Sequence, residues 1–547
     1  MTLDPQNPTH TQVKTQTPSI ELVRPTRAPP ARASPADDGS SDDDEVLGDE
    51  DQSGEAGSTS EEHRLLGRSQ LARKSQARHT GWTTLFGSRI PTRLIYLFLA
   101  PVAILGLFLI ARTLPTPYTH LSTLSNGTHT FHPTVLLISL DGFRPSYLTS
   151  HPHLVPNLLA MANSTHGLRA ESMQPRFPTQ TFPNHWSLMT GLYPESHGII
   201  ANDFWDPQMQ RHFVYTKHDM SWDARWWWGE PMWSVAQRGG RISANIMWPG
   251  PPVTSQGIAP ALFVPYRNIP PSEKLKQVCD WLDMPIHSRP QLITTYIPNV
   301  DQMGHKGGPD SKQVEDALQL VDGFIGGVVE SLAQRNLSDI VNVIVVSDHG
   351  MTSTANERLI FLDEILGEQG YSDIEHRDGW PSVGLRFKDG SPTDTYLDTL
   401  KAAADRSEGS FAVYTHATMP ERWHFNRTDR IAPIFLVPKL GWAITDNHEH
   451  KVINKGDYNP KGNHGYDNIE PEMQAIFFAH GPFARALKTA IPKRGKAWKR
   501  GWASVDPPVM ESFSNLEIFS LVMRLMGLQG IEPAHNGTKG FWDDYLR

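Results

Sequence analysis

Three apolar segments of this 547-residue chain each lead to a carboxylate. The segments and their acids are Val135–Leu140 with Asp141, Leu292–Ile297 with Asp301, and Val343–Ser347 with Asp348. His349 follows Asp348 directly, His305 stands four residues after Asp301, and His464 lies between Asn463 and Gly465. Carboxylates and imidazoles in this mixture are typical ligands of zinc.

Each of these residues also has an ordinary structural explanation. A single acid after a strand is often the cap of the next helix, and a lone histidine such as His464 is often structural. In open α/β sheets, however, ligands bind beyond the carboxyl ends of the strands. Three acids at such positions, two of them with a nearby imidazole, favour a metal site over helix caps.

A threonine offers a nucleophile for the same site. Pro183 suits the first turn of a helix, and Gly191 is a residue at which that helix can end. Thr181 would then lie at a helix N-terminus, where free N–H groups and the positive end of the dipole favour an alkoxide and a phosphate oxygen. Threonine is a poor nucleophile unless a metal lowers its pKa. A plain helix cap is the alternative.

The elements around these residues indicate an α/β fold. Apolar residues recur every three or four positions from Val314 to Val328, which predicts an amphipathic helix between two buried strands. Strand, helix and strand in that order indicate a parallel sheet. The stretch at about 380–445 has a looser pattern and is interpreted as an insertion.

The N-terminal part predicts a membrane anchor. Residues 1–92 are rich in Pro, Ser, Arg and acid, which is typical of a disordered tail. Leu94–Ala111 is uncharged and almost wholly apolar, and its eighteen residues would form roughly 27 Å of helix. We therefore predict a transmembrane signal anchor at 93–112, a stalk at 113–133 and a catalytic domain at 134–547. A buried core helix or a cleaved signal peptide fits this segment less well.

Charge and sequons predict the orientation of that anchor. Seven basic residues precede the span and place the N-terminus in the cytosol: Arg64, Arg68, Arg73, Lys74, Arg78, Arg89 and Arg93. The usable N-glycosylation sequons all follow it: Asn126, Asn163, Asn336, Asn426 and Asn536. This is the pattern of a single-pass type II membrane protein with its catalytic domain outside the cell or in a vacuolar or secretory lumen. The net charge of -9 gives little support to a nucleic-acid partner.

Six segments in order resemble the ecto-nucleotide pyrophosphatase/phosphodiesterases of the alkaline phosphatase superfamily. They are Leu140–Arg144, Thr181–His185, Gly191–Ile200 with Asn202, Asp301–His305, Ser347–Met351 and Gly462–Gly465. The resemblance covers roughly Val135 to Pro482. It implies a central, mostly parallel sheet flanked by helices, with a small inserted subdomain. The single Cys279 leaves no room for the cysteine-rich modules of vertebrate members, so the chain looks like a minimal, single-pass, fungal-type member.

The resemblance also implies roles for the site residues. One zinc would be held by Asp141, Asp348, His349 and the oxygen of Thr181, and a second by Asp301, His305 and His464. Thr181 would attack phosphorus and form a nucleotidyl-threonine, which water then hydrolyses. Asn202 and nearby backbone N–H groups would hold the remaining phosphoryl oxygen.

Substrate recognition is implied by two aromatic residues. Phe182 and Tyr266 would sandwich a nucleobase, although a tyrosine at position 266 could equally be an ordinary buried residue. The lysine that the family has beside its nucleophile is replaced by Gln180, and Asp203 follows Asn202. Both residues remove positive charge, which puts the binding of polyphosphate tails in question.

We therefore expect a zinc-dependent hydrolase of nucleoside triphosphates, dinucleotides or nucleotide sugars that releases nucleoside 5'-monophosphates. A phosphomonoesterase is one alternative, although Asn202 suits the single charge of a diester better than a dianion. A choline-type phosphodiesterase would need an acidic, aromatic pocket for the ammonium group. An inert binding protein is a third alternative, but this chain keeps every ligand. The sequence indicates no oligomeric state.

Overall fold

A seven-stranded sheet forms the centre of the computed structural model, which describes residues 122–490 and 508–546, together with strand residues 82–85, 88–91 and 502–503. In spatial order its strands are Leu262–Val264, Ser243–Ile246, Leu292–Ile297, Thr134–Leu140, Val341–Val346, Phe477–His480 and Gly167–Arg169. Phe477–His480 runs antiparallel to both of its neighbours, and the other neighbouring pairs are parallel. The sheet is therefore mostly parallel, as predicted, and mixed because of this one antiparallel strand.

Helices accompany this sheet along the chain. The longer ones are Pro156–Asn163, Thr181–Thr190, Met232–Arg238, Pro271–Leu282, Asn299–Gly307, Lys312–Gln334, Leu362–Ser372, Thr393–Arg406, Pro482–Ala490 and Glu517–Leu525. Four-residue helices are Tyr147–Ser150, Pro194–His197, His218–Ser221 and Asp543–Leu546. The periodicity from Val314 to Val328 lies within Lys312–Gln334, and the predicted strand–helix–strand unit is present.

Both faces of the sheet are buried, which explains why its strands are continuous apolar runs. In Thr134–Leu140, Val135 and Leu137 pack into one core, and Leu136 and Ile138 pack into another on the opposite face. Alternating side chains point to opposite faces of a strand, so a strand covered on both sides must be apolar throughout. The main-chain position of each strand end is fixed by this double burial.

A second, antiparallel sheet has a small core of its own. Its strands, in spatial order, are Ile374–Asp378, Val383–Phe387, Ile434–Pro438 and Phe411–Thr415. It occupies much of the insertion predicted at about 380–445, but Ile374–Asp378 lies before that boundary. A parallel strand pair, Leu359–Phe361 with Ala443–Thr445, joins the two ends of this region.

Short strand pairs complete the described elements. They are Asp203–Asp206 with Arg211–Val214, Thr352–Ser353 with Gly462–Asn463, Met173–Gln174 with Phe513–Ser514, Trp502–Ala503 with Val509–Met510, Leu124–Ser125 with Thr130–Phe131, and Trp82–Leu85 with Ser88–Pro91. The last two pairs lie within the predicted stalk and the predicted disordered tail. The stalk pair forms because Asn126 Oδ1 accepts from the N–H groups of Thr128 and His129 across the turn and because Phe131 is buried beneath the Arg289 guanidinium.

The predicted membrane span, Leu94–Ala111, lies outside the described residues, as does most of the tail at 1–92. Among the helices that the structure describes, none combines the length and apolar character needed to cross a bilayer. The sequon asparagines can all be located: Asn163, Asn336 and Asn536 are exposed, and Asn126 and Asn426 are half-buried.

Candidate active site

The three predicted acids meet at one edge of the main sheet. Strand Thr134–Leu140 lies between Leu292–Ile297 and Val341–Val346, so the segments that follow these parallel strands are neighbours. The Asp301 N–H donates to the Asp141 carbonyl at 3.1 Å. Gly142 makes this approach possible, because its φ is +69° and a Cβ there would lie 2.9 Å from the Asp301 Cα.

Asp141, Asp348 and His349 form a first cluster, which we call the inner group. One ligand atom from each lies within 4.8 Å of the others. His349 Nε2 is 3.4 Å from Asp141 Oδ1 and 3.0 Å from Asp348 Oδ2. All three residues are buried.

Asp301, His305 and His464 form a second cluster, the outer group. Asp301 and His305 are four residues apart in helix Asn299–Gly307, so they share one face. Both imidazole Nε2 atoms lie 3.4 Å from Asp301 Oδ1. His464 arrives on the strand pair of Gly462–Asn463 with Thr352–Ser353, and its ring stacks on that of His349 with centroids 3.6 Å apart. The two groups therefore lie side by side, joined by the contact between the His349 and His464 rings.

All three imidazoles are oriented in the same way. Nδ1 of His305 is 2.9 Å from the Gly462 carbonyl, Nδ1 of His464 is 2.9 Å from the Thr179 carbonyl, and Nδ1 of His349 is 2.9 Å from the Gly350 carbonyl. A carbonyl can only accept, so each Nδ1 carries the proton and each Nε2 lone pair is left free for a ligand. Such outer-shell bonds are the usual support of metal-ligating histidines.

The carboxylates provide a direct test of whether cations fit. Asp141 Oδ1, Asp301 Oδ1 and Asp348 Oδ2 are buried, and none has a hydrogen-bond donor among the described residues. A buried, unpaired carboxylate oxygen is costly, and coordination to a metal is one of the few ways to compensate it. One such oxygen in every acid, facing three free imidazole nitrogens, is a donor set that suits zinc.

The charges of the acids are strongly perturbed. Burial raises the pKa of Asp141 well above its usual range, and the neighbouring charges of Asp348 and Asp301 raise it further. Burial also raises the pKa of Asp301. At Asp348 burial acts in the same direction, but His349 and His185 outweigh it and hold the pKa well below the usual range. Three acids in one buried site repel one another, and a cation would relieve that repulsion.

The imidazoles complement this pattern. Burial lowers the pKa of His464 well below its usual value, and His349 and His305 lower it further. Burial also acts to lower the pKa of His349, but the Asp348 carboxylate outweighs it and raises the pKa. A neutral His464 is in the form that binds a metal.

Thr181 is the first residue of helix Thr181–Thr190, which ends at Gly191 in the left-handed conformation, as the sequence predicts. Its Oγ1 lies 3.2 Å from His349 Nε2, next to the inner group. Asn184, one turn later, fixes the preceding loop because its amide donates to the carbonyls of Arg176, Pro178 and Gln180. The hydroxyl is thus held at the edge of the inner group.

Asn202 also reaches this point. Its Oδ1 accepts from the Phe182 N–H at 3.0 Å, so that backbone N–H is already bonded and is not a free donor to phosphate. The Asn202 Nδ2 has no hydrogen-bond partner within the described part of the chain. Because Asn202 lines the same cavity as Thr181, this Nδ2 is a donor that a ligand in the cavity can use.

A cavity of about 530 Å³ opens over both groups. Phe182, Tyr215, Trp222, Phe263 and Tyr266 give it an aromatic wall, and none of its described lining residues is lysine or arginine. Tyr266 is 50% exposed, which excludes an ordinary core tyrosine. Its hydroxyl accepts from Gln302 Nε2 at 3.1 Å.

Sequence reasoning missed two residues behind the inner group. The Tyr296 hydroxyl donates to Asp141 Oδ2, and His185 Nδ1 is 2.8 Å from the Thr181 carbonyl and 3.3 Å from Asp348 Oδ2. Both had a signal in the sequence, because Tyr296 is the penultimate residue of a ligand-bearing strand and His185 stands one helical turn after Thr181. Neither signal says which ligand the side chain will contact.

Gln180 and Asp203 were expected to weaken the binding of polyphosphate tails by removing positive charge. The Gln180 side chain is buried and bonds to protein groups rather than facing the cavity. Asp203 begins strand Asp203–Asp206, and burial raises its pKa to about 6 although Lys217 opposes this. Gln180 therefore does not face a ligand in the cavity, and the expectation that it weakens the binding of polyphosphate tails does not hold for this residue.

Comparison with known proteins agrees with this geometry. The family model for type I phosphodiesterase / nucleotide pyrophosphatase matches residues 135–467. An uncharacterised pyrophosphatase/phosphodiesterase of Schizosaccharomyces pombe is 37% identical over 419 residues, which cover 76% of this chain and 80% of that protein. The chain belongs to the nucleotide pyrophosphatase/phosphodiesterase family of enzymes.

Animal members of the nucleotide pyrophosphatase/phosphodiesterase family are similar over the same share of the chain. Ectonucleotide pyrophosphatase/phosphodiesterase family member 3 of Rattus norvegicus is 34% identical over 423 residues, covering 76% of this chain but 44% of that protein. The chain thus spans less than half of the rat relative.

Solved structures confirm the predicted α/β fold of the alkaline phosphatase type. Murine ectonucleotide pyrophosphatase/phosphodiesterase 5 superposes with a TM-score of 0.64 at 31% identity, covering 76% of this chain and 100% of that one. An inactive threonine-to-alanine variant of the murine protein has been solved in complex with AMP, with the same TM-score, identity and coverage.

Proposed function

We propose that this protein hydrolyses phosphodiester and pyrophosphate bonds of nucleotides in a zinc-dependent reaction and releases nucleoside 5'-monophosphates. Nucleoside triphosphates, dinucleotides and nucleotide sugars are the substrate classes. The single observation that carries the proposal is the Thr181 hydroxyl at a helix N-terminus, 3.2 Å from an inner-group imidazole and in the same cavity as Phe182.

Two zinc ions per chain would be held by the two groups. Asp141, Asp348 and His349 would bind one together with Thr181 Oγ1, and the outer group would bind the other. The free Nε2 atoms and the unpaired carboxylate oxygens support this assignment. When bound, two such cations stabilise the charge on the entering and leaving oxygens of an in-line displacement.

Thr181 would act as the nucleophile. Its Oγ1 loses a proton to solvent and forms a bond to phosphorus. The bond from phosphorus to the leaving oxygen breaks on the opposite side, and that oxygen departs with the electron pair. The product is a nucleotidyl-threonine. A water molecule then attacks the same phosphorus, the Thr181 oxygen leaves and regains a proton, and the nucleoside monophosphate is released. The Asn202 Nδ2 would donate to a non-bridging phosphoryl oxygen in both steps.

The cavity supports a diester over a monoester substrate. A phosphate dianion calls for an additional cation or an arginine, but the described lining residues include neither lysine nor arginine. Asn202 is neutral and suits the single negative charge of a diester. This observation disfavours the phosphomonoesterase alternative.

The aromatic wall supports a nucleotide as the occupant. Phe182 and Tyr266 line one cavity, and the half-exposed Tyr266 ring is available to a ligand. The AMP complex of the murine relative supports the same class of ligand. Base stacking on aromatic rings is tolerant of base identity, so it selects a flat base without specifying which one.

Hydrolysis of p-nitrophenyl thymidine monophosphate tests the proposal. We expect nitrophenol release that is lost with a chelator and restored by zinc, at a rate well above that on p-nitrophenyl phosphate and p-nitrophenyl phosphorylcholine. Faster turnover of the phosphorylcholine ester would favour the choline-type alternative. No zinc-dependent turnover of any of the three would contradict the proposal.

The protein would be anchored by residues 93–112 with its N-terminus in the cytosol and its catalytic domain outside the cell or in a vacuolar or secretory lumen. The basic residues before the span and the sequons after it support this topology, and three sequon asparagines are exposed. In intact membrane vesicles, protease added to the cytosolic side should remove the tail and leave the catalytic domain protected. The protected catalytic domain should be glycosylated and should therefore shift in size after glycosidase treatment. An unglycosylated catalytic domain cleaved from the cytosolic side would contradict this topology.

A further inference from the structure

Gln180 connects three segments around the nucleophile. It immediately precedes helix Thr181–Thr190 and is 1% exposed. Its Oε1 accepts from the Asn202 backbone N–H at 2.8 Å, and its Nε2 donates to the Trp380 carbonyl at 2.7 Å. Both ends of one buried amide are therefore used, one toward Asn202 and one toward the second sheet.

Asn202 depends on these contacts for its orientation. Its backbone is held by Gln180, and its side-chain Oδ1 is held by the Phe182 N–H. With Oδ1 occupied, Nδ2 is the group left to face the cavity. A small rotation of the Asn202 backbone would move that Nδ2, and hydrogen bonds to a developing charge depend strongly on such placement.

The loop that carries Trp380 holds the next residues as well. The Gly379 N–H donates to the Asp203 carbonyl at 2.8 Å, and the Trp205 N–H donates to Asp378 Oδ1 at 2.7 Å. Gln180 also packs against the loop of His464, since a Cβ on Gly465 would lie 3.2 Å from the Gln180 Cγ. The amide fills the gap between these two loops.

We propose that Gln180 is a positioning residue that aims the Asn202 amide at the phosphoryl oxygen and couples that amide to the Trp380 loop of the second sheet. This inference rests on the proposed function. The Gln180 amide has both an acceptor and a donor, so one side chain can bond to the Asn202 N–H and to the Trp380 carbonyl at the same time.

A double-mutant cycle with Gln180→Met and Asn202→Ala tests the inference on p-nitrophenyl thymidine monophosphate. Methionine keeps the length of the side chain and removes both hydrogen bonds. We expect kcat to fall by about 10-fold or more, because a hydrogen bond to developing charge loses much of its effect when its donor moves, with KM changed less than about threefold. In the Asn202→Ala background, the same substitution should lower kcat by less than about threefold, because the residue it positions is absent.

Gln291→Met is the matched control. Gln291 is also buried, and its amide accepts from the Ile242 N–H at 2.8 Å and donates to the Arg289 carbonyl at 2.5 Å. It precedes strand Leu292–Ile297, at the end opposite to the site, so kcat should stay within about twofold of wild type. An equal loss of kcat in this control would reduce the Gln180 effect to general destabilisation and overturn the inference.

Two other outcomes would overturn it while leaving the proposed function intact. One is a wild-type kcat in Gln180→Met, and the other is an undiminished loss in the Asn202→Ala background. If Gln180→Met does not fold, Gln180→Ala replaces it in the cycle, and the same losses of kcat are expected in the wild-type and Asn202→Ala backgrounds. An inactive wild-type protein would overturn the inference and the proposed function together.

Discussion

The inner and outer groups contain similar ligands but are built differently. Asp348 and His349 follow a strand that is buried on both faces, and their side chains are 0% exposed. The outer group combines one turn of a helix with a loop, and its His305 side chain is 30% exposed. One group is therefore enclosed by the two cores of the domain, and the other is open to the cavity.

This difference matches two separate tasks in the proposed two-zinc reaction. A buried group on strand ends can hold a nucleophile in place with little movement, which suits its contact with Thr181. An open group can exchange water and product with solvent. We therefore expect the inner metal to be retained and the outer metal to exchange first.

Thr181→Ala has the largest expected effect, because it removes the proposed nucleophile next to the inner group while leaving both groups intact. We expect kcat on the nitrophenyl diester to fall by at least about 10³-fold, with two zinc ions still bound by elemental analysis. Thr190→Ala is the control, since Thr190 is a buried threonine of the same helix whose hydroxyl bonds to the Trp186 carbonyl. Turnover retained in Thr181→Ala would make water the attacking group.

Ligand substitutions compare the two groups directly. Asp348→Asn and His305→Ala should each lower kcat by more than about 100-fold. Loss of a ligand should cost more than loss of a group that only supports a ligand, for which about 10- to 100-fold is typical. Under mild dialysis against chelator, His305→Ala should keep one zinc ion and Asp348→Asn should keep none. Asp322→Asn is the control, because Asp322 is a buried acid that accepts from the Leu158 N–H away from the site. Equal zinc retention in both ligand variants would remove the distinction between inner and outer groups.

Phe182→Ala tests nucleobase binding in the cavity and leaves the inner and outer groups unchanged. Stacking is worth about 1–3 kcal/mol per base, so KM for nucleotide substrates should rise roughly 5- to 150-fold while kcat changes little. Zinc content should stay at two. Leu262→Ala provides a comparison for lost packing, since Leu262 is buried in strand Leu262–Val264. A KM unaffected by Phe182→Ala would argue against a base on this ring.

Tyr296→Phe has the smallest expected effect and acts on the inner group alone. It removes the hydroxyl that donates to Asp141, and we expect a fall in kcat of about 10-fold. Tyr147→Phe, which removes a buried hydroxyl bonded to the Pro309 carbonyl, should leave kcat within about twofold. If Tyr296→Phe weakened the outer metal instead, the assignment of Tyr296 to the inner group would be wrong.

The three acids converge at one edge of the sheet, and local patterns in the sequence explain why this convergence could be predicted. Apolar runs define buried parallel strands, and acids directly after such strands must share one edge of the sheet. The start of the helix at Thr181 and its end at Gly191 were likewise encoded by Pro183 and a glycine. These predictions needed no knowledge of distant contacts.

Other features depend on contacts between remote residues and could not be predicted. Gln180 looked like a lost charge beside a polyphosphate, but its amide bonds to Trp380, 200 positions away. The Tyr296 bond to Asp141 spans 155 positions. The second sheet includes Ile374–Asp378, before the predicted boundary, because its pairing with Val383–Phe387 decides membership rather than composition.

The central claim is that the inner and outer groups each hold one zinc ion beside Thr181. Anomalous scattering measured at the zinc edge from crystals of the full protein tests this claim most directly. We expect two peaks per chain. One should lie about 2.0–2.3 Å from the inner ligand atoms and the Thr181 oxygen, and the other at that distance from the outer ligand atoms. A single peak, peaks elsewhere, or a Thr181 hydroxyl directed away from both ions after equilibration with zinc would contradict the account.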